Sequence, residues 1–305
     1  MNILFVNPNL LVQENDPFTT GIIYMPMGLA YAAAAARSQG HQVTVIDAFA
    51  QKPKQVRKRG AFYYFGLTED EITDQIPTDS DLVVVYAINL TNHNSTVSII
   101  QTIKHKFPEI SVAVLENSQA VTAYSLHSSA VLTVFQKAGA DYFLINDGDY
   151  KLLNLIKAIE DHDVINLEAY CLVKKQAKTE TIANLDALPF PAWDLFPLEN
   201  YWGLRFAHGP VASQKYLPLL TSRGCPYPCR FCVVPTTNNQ KWRARSAKNV
   251  VDEIEYWQKT YGVNEFHWED LDPTVSDKRT GEICEEIINR GLNISWKLVS
   301  GTKVE

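Results

Sequence analysis

The sequence lacks the features that would place it in a membrane, outside the cell or on a nucleic acid. Its most apolar stretch, "IYMPMGLAYAAAAA" (23–36), contains Pro26 and falls short of the roughly 20 residues a membrane span needs. That stretch follows a strand-like opening, and no targeting segment is visible. Positive charge is also scarce: 28 basic against 34 acidic residues give a formal net charge of −6, which argues against generic nucleic-acid or anionic-membrane binding. Five cysteines, an odd number with three in a tight cluster, do not read as a secreted disulfide framework, so the chain is expected to be cytoplasmic. There is no Gly-x-Ser-x-Gly element, no phosphate loop with Gly-Lys-Ser/Thr and no Gly-x-Gly-x-x-Gly after the first strand. "GDYKLL" (148–153) has too few glycines to cradle a pyrophosphate.

What is present is an ordinary globular composition, 46% hydrophobic and 20% charged, in a chain of 305 residues that is long enough for two domains. The first 165 residues alternate β-rich runs with helical stretches. Strands are expected at "NILFVNP" (2–8), "QVTVIDA" (42–48), "LVVVYAI" (82–88), "VAVLEN" (112–117) and "DYFLIND" (141–147). Helices are expected at 28–40, 94–106, 127–138 and 150–160. Near-continuous apolar strands separated by helices imply a parallel sheet covered on both faces, a doubly wound α/β domain. Its ligand is expected beyond the carboxyl ends of the strands. The basic stretch "QKPKQVRKRG" (51–60) reads as a solvated loop, with a phosphate or partner contact as the alternative.

A connector rich in proline and aromatics spans 166–214. Its segment "TIANLDALPFPAWDLFPLENYW" (181–202) reads as an extended linker packed on something, neither helix nor strand. From 215 to 305 the alternation restarts, with strands at 216–222, 264–270 and 293–301. Helices lie between them at 246–262, from an N-cap at Ser246 to a stop at Gly262, and at 277–291. Three such β/α units do not close a barrel, so the segment is expected to be the N-terminal half of one, with an exposed edge and a tendency to aggregate or to need a second chain.

Cys225, Cys229 and Cys232 lie on one short loop, "CPYPCRFC", directly after a strand. A structural zinc site wants four ligands, and the nearest further candidates, His208 and His267, stand at no familiar zinc-finger spacing. Three thiolates suit a [4Fe–4S] cluster better, because they leave one iron open to an exogenous ligand. Cys171 reads as a buried strand residue and Cys284 as helix core.

"SRGCPYPCRFC", followed by "KWRARSAKNVVDEIEYWQKTYGVNEFHWED", resembles the cluster motif and flanks of radical S-adenosylmethionine (SAM) enzymes. "LDALPFPAWDLFP" and "MGLAYAAAAARSQGHQVTVIDA" resemble the connector and opening of members that carry an N-terminal cobalamin-binding, Rossmann-like domain, so the resemblance extends over nearly the whole chain. It implies that Cys225, Cys229 and Cys232 ligate the cluster and that the amino and carboxylate groups of SAM chelate the open iron. One electron would then cleave SAM to methionine and a 5′-deoxyadenosyl radical. The backbone at Phe231 would meet the adenine. The family's Gly-Gly-Glu element at the end of the second barrel strand here reads "WEDLD", so Glu269 or Asp270 would receive the SAM amino group without the glycines. Arg243 and Arg245 would contact SAM or close the cluster loop, or else form surface ion pairs.

No histidine lies in the D-x-H-x-x-G pattern that ligates cobalt from below, and relatives of this type commonly bind cobalamin without one. The strand-end rule then points to Asn7, Asn89 to Thr91, Glu116 to Ser118, and Asn146 to Asp149, with Asp147 and Gly148 among them, as contacts. The resemblance implies methylation of an unactivated carbon in a small molecule of lipid or specialised metabolism. The alternatives are ring formation or rearrangement with the same cofactors, or a cofactor-binding subunit inactive alone. An external reductant such as flavodoxin or ferredoxin would supply the electron.

Overall fold

The computed structural model describes residues 1–117, 129–171, 181–207, 209–232, 234–235 and 240–302, so the expectations at Ser118 and His208 lie outside it. The N-terminal region carries strands β1 (Asn2–Asn7), β2 (Leu10–Gln13), β3 (Gln42–Asp47), β4 (Val56–Arg59), β5 (Phe62–Phe65), β6 (Leu82–Ala87), β7 (Ser111–Glu116) and β8 (Tyr142–Leu144). Five of them form a parallel sheet in the order β3-β1-β6-β7-β8, with helices on both faces. This is the doubly wound arrangement that the apolar strands anticipate. One face packs Leu4, Val6, Val83, Val85 and Phe143 against Ile99, Ile100 and Ile103 of the helix His93–Lys106.

The other face meets the helices Met27–Ser38 and Gly148–Glu160. Ala32, Ala33, Ala34, Ala35 and Ala36 are all buried, so the first of these helices is enclosed on every side. A helix apolar all round belongs inside, and small side chains let its neighbours approach closely. The connector is one such neighbour. The Ala192 N–H donates to Ala30 O (3.0 Å), and Arg37 pairs with Asp194 at 2.6 and 2.9 Å. Trp193 is fully buried there, and a side chain of that size contributes about 3 kcal/mol or more on burial.

That connector is not the purely extended segment expected. It forms single 3₁₀ turns at Leu185–Ala187 and Trp193–Leu195, then a helix at Leu198–Leu204. Pro197 sits just ahead of the helix, where its missing N–H costs nothing. Buried Tyr201 and Trp202 give the helix a packed face.

The basic stretch also departs from expectation. Val56–Arg59 is a strand, the edge of an antiparallel sheet ordered β2-β5-β4. Arg59 pairs with Glu69 at 2.6 and 2.9 Å, and Lys58 with Glu14 at 2.5 Å. An edge strand made of charges has no apolar period to reveal it. Cys171 ends the helix Val164–Cys171, where a strand was expected, and is half-buried. Cys284 is also only half-buried, because Ile283 and Ile287 form the core face of their helix.

The C-terminal region adds β9 (Tyr216–Leu219), β10 (Ser222–Arg223), β11 (Arg243–Ala244), β12 (Glu265–Trp268) and β13 (Ser295–Leu298). Strands β13-β12-β9 form a parallel sheet in that order, joined by the helices Ala247–Tyr261 and Asp277–Asn289. Ser246 accepts from the Asn249 N–H, and Gly262, at φ 69°, ends the first helix, both as the sequence predicts. Leu217, Leu219, Val251, Ile254 and Phe266 join the same apolar cluster as Ala30 and Trp193, so one core runs through both regions. Among the described residues no helix is long and apolar enough to cross a membrane.

Candidate functional site

The cysteine loop leaves the sheet through β10 and returns through β11, and these two short strands pair antiparallel, Arg223 opposite Arg243. Gly224 turns the chain with φ 83°, a conformation that a side chain would disfavour. Cys225 and Cys232 are half-buried and Cys229 exposed, all three as free thiols. The Cys232 N–H donates to Cys229 O (3.1 Å) and tightens the turn between them. Burial pushes the Cys225 thiol up, and Asp272, Cys229 and Cys232 add to the shift, so the three thiols lie within electrostatic reach of one another. Phe231 is 93% exposed beside them. Among the described residues no three or more His, Cys, Asp or Glu side chains are gathered around one point as a single bound metal ion requires. His267, considered above as a zinc ligand, is buried, bonded to Glu265 (2.9 Å) and stacked on Tyr216 at 4.8 Å.

The two acidic residues after β12 differ sharply. Asp270 accepts from the Thr221 N–H (3.0 Å), the Thr221 hydroxyl (2.7 Å) and the Ser222 hydroxyl (2.6 Å). Glu269 is 5% exposed, and its backbone N–H is held by Leu219 O (3.0 Å). Burial pushes the Glu269 carboxyl up to about 8, with the Asp270 charge adding to it. Tyr24 and Tyr86 of the N-terminal region and Tyr216 of β9 all feel that carboxylate, so it stands at the seam between the regions. Gly28 makes room for Tyr86, since a Cβ there would lie 2.5 Å from its hydroxyl.

Beyond the carboxyl ends of β1 and β6 lies a cavity lined by Asn7, Leu10, Ile23, Tyr24, Ile88 and Asn89, among others. Asn7 donates to Asp47 Oδ1 (2.9 Å), while its own Oδ1 is buried without a partner. Asn89 accepts from the Asn92 N–H (3.0 Å), and Thr91 is half-buried on the same turn. Glu116, at the end of β7, accepts from the Asn146 N–H (3.2 Å). Gly148 opens its helix against Leu115, where a Cβ would lie 2.3 Å from Leu115 Cδ1 and force that side chain to shift.

Asp147 and Arg243, two expected cofactor contacts from different regions, bind each other at 2.6 and 3.1 Å. Burial pushes the Asp147 carboxyl up, but Arg223 and Arg243 outweigh it and hold the carboxyl below its ordinary value. Arg245 is not a surface pair: it is buried, bonded to Glu253 at 2.5 Å and Leu220 O at 2.8 Å.

Sequence reasoning placed Asp149 among the strand-end contacts but missed its partner Arg223, with which it pairs at 2.6 and 2.9 Å. It also missed Lys151, which is 3% exposed, has no hydrogen-bond partner on Nζ, and is lowered to about 8 by burial. An arginine just before "GC" and acids in "NDGD" are the only signals, and neither states a contact.

Residues 219–302 match the Radical SAM superfamily. The cytidylyl-2-hydroxyethylphosphonate methyltransferase of Streptomyces wedmorensis is 26% identical over 98% of this chain and 60% of its own length. The anaerobic magnesium-protoporphyrin IX monomethyl ester cyclase of Rubrivivax gelatinosus is 27% identical over 97% of this chain and 50% of its own. The chain thus spans about half the length of the curated relatives it matches. Among solved structures, the radical SAM methyltransferase TsrM of Kitasatospora setae, with cobalamin and a [4Fe–4S] cluster bound, superposes with a TM-score of 0.61 at 17% identity, over 95% of this chain and 51% of that one. The cysteine loop and the strand–helix alternation around it thus lie inside the stretch that is similar to the Radical SAM superfamily.

Proposed function

We propose that this protein is a cobalamin-dependent radical SAM enzyme that methylates an unactivated carbon of a small molecule, in lipid or specialised metabolism. The observation that carries the reading is the place of Glu269: a buried carboxylate at the seam, within electrostatic reach of tyrosines from both regions. The cysteine loop opens from the same strand ends.

The residues fit the three groups the reading requires. Three free thiols on a half-exposed turn suit a [4Fe–4S] cluster with one iron left to SAM. Glu269 suits the SAM ammonium, because a cation there stabilises the charged carboxylate that burial disfavours. Asp270 is already satisfied by Thr221 and Ser222 and shapes the turn. The buried, unpartnered Asn7 Oδ1 acceptor and Lys151 Nζ donor at the strand ends suit the amide-rich rim of cobalamin. Asp147 and Arg243, which satisfy each other, act in this reading by position. Bound together, the groups would supply a 5′-deoxyadenosyl radical and a transferable methyl group. A flavodoxin- or ferredoxin-type reductant would deliver the electron, in the cytoplasm.

A second reading, ring formation with the same cofactors, is favoured by the 27% identity to the cyclase. Product analysis under reducing, anaerobic conditions with candidate substrates separates the two. Methylation consumes SAM twice and yields S-adenosylhomocysteine beside 5′-deoxyadenosine, whereas ring formation yields 5′-deoxyadenosine without it. Zinc near one per chain, with no iron–sulfur absorbance, would refute both.

A further inference from the structure

Arg223 and Arg243 stand at the entry and exit of the cysteine loop, and both dock on the N-terminal region. Arg223 grips Asp149 with two bonds (2.9 and 2.6 Å) and reaches Asp147 at 3.3 Å. Arg243 grips Asp147 with two bonds (2.6 and 3.1 Å). Side-chain exposure is 3% for Arg223, 4% for Asp149, 0% for Asp147 and 13% for Arg243. The connector is threaded through the same cluster: the Ile182 N–H donates to Asp147 (3.0 Å), and Ile182 O accepts from Arg243 (2.6 Å). The Arg223 guanidinium also lies over the Tyr31 ring at 5.5 Å.

We propose that this four-residue cluster is a positioning latch that fixes the cysteine loop against the strand-end crevice of the N-terminal region, and so sets the separation of the two cofactor sites. The proposal rests on the functional reading above. Its geometry is specific. Asp147 directly precedes the helix Gly148–Glu160 and Asp149 lies in its first turn, at the carboxyl end of the sheet. Arg223 is two residues from Cys225, with only Gly224 between. The two arginines face each other across the β10–β11 ladder, so the loop is held at both ends by one short acidic segment. Two cations meet two anions, which leaves the buried cluster without net charge. A buried ion pair is a poor source of stability compared with apolar packing but a good source of fixed orientation, and the bidentate arginine adds direction.

The test uses the full chain, reconstituted anaerobically with iron and sulfide, loaded with cobalamin as Co(II), and reduced. Both centres are then paramagnetic, and the enhancement of the cluster's EPR relaxation by cobalt reports their separation. Asp149→Asn removes one charge. The double variant Arg223→Met/Asp149→Leu replaces the pair with apolar side chains and keeps the interior filled. In the parent the enhancement should be strong and uniform. In either variant, at parent iron and cobalamin content, it should fall several-fold and become heterogeneous. A role in stability alone would move the melting temperature and leave the enhancement intact. An unchanged enhancement in the folded double variant would overturn the latch. Failure of the parent to take up cobalamin would instead refute the functional reading.

Discussion

Thr221 and Asp270 are joined by both the backbone and the side chain of the threonine: its N–H reaches each carboxylate oxygen at 3.0 Å, and its hydroxyl reaches one at 2.7 Å. The bond ties the end of β9 to the end of β12 where the chain turns toward the cysteines. Burial pushes the Asp270 carboxyl up, and the Ser222 and Thr221 donors work against that shift.

Asp270→Ala should therefore destabilise the protein by about 2–4 kcal/mol, because one buried N–H and two hydroxyls lose their acceptor together. Asp270→Asn, which keeps one acceptor oxygen, should cost less. Urea unfolding of the two variants checks the order, and equal midpoints would contradict it.

The cysteines should behave in the opposite way. Cys229 is exposed and the others half-buried, so Cys225→Ala, Cys229→Ala or Cys232→Ala should change the stability of the metal-free chain by under about 1 kcal/mol. Each should nevertheless abolish the uptake of about four irons per chain that three thiolates support. Iron analysis after anaerobic reconstitution decides it: full iron content in any single variant would count against these ligands.

Tyr201 donates to Asp47 Oδ2 at 2.7 Å and is fully buried, which anchors the connector helix to the end of β3. Burial alone pushes the Asp47 carboxyl up, and this bond, with those from the Ala50 N–H and Asn7, opposes the shift. Tyr201→Phe should cost about 1–3 kcal/mol by leaving a buried carboxylate short of a donor. Tyr201→Phe/Asp47→Leu should recover part of that loss, and denaturant titration of both variants tests the coupling.

Legibility in the sequence followed periodicity. The helix ending at Gly262 was readable because a cap, an amphipathic run and a stop coincide over 246–262. The strand Val56–Arg59 was not, because its partners are charges set by chain folding, Arg59 with Glu69 and Lys58 with Glu14. The same limit governs the site. Cys225, Cys229 and Cys232 announce themselves by spacing, whereas the pairing of Arg223 with Asp149 joins residues 74 apart and depends on how the two regions dock. The difference between Glu269 and Asp270 likewise depends on Thr221, which occupies only one of them.

Glu269 gives the last prediction. In the folded protein burial pushes its carboxyl up to about 8, above the 4.5 of a free glutamate. Between those values the native protein holds a proton that the unfolded chain has released, so stability falls as pH rises from about 4.5 to 8 and levels off above that. The total loss is roughly 3–5 kcal/mol. Glu269→Gln should remove this slope and be more stable than the parent at pH 8, by thermal or urea unfolding. A cation at the site should have the reverse effect on the parent, because pairing with an ammonium stabilises the ionised carboxylate and releases the proton. SAM should therefore bind the cluster-loaded parent more tightly as pH rises from 6 to 8, and Glu269→Gln should bind it about 10- to 100-fold more weakly at pH 8, the loss of one charge-assisted bond. Calorimetry in buffers of different ionisation enthalpy would detect the released proton directly. A pH-independent affinity shared by parent and variant would remove Glu269 from the SAM site.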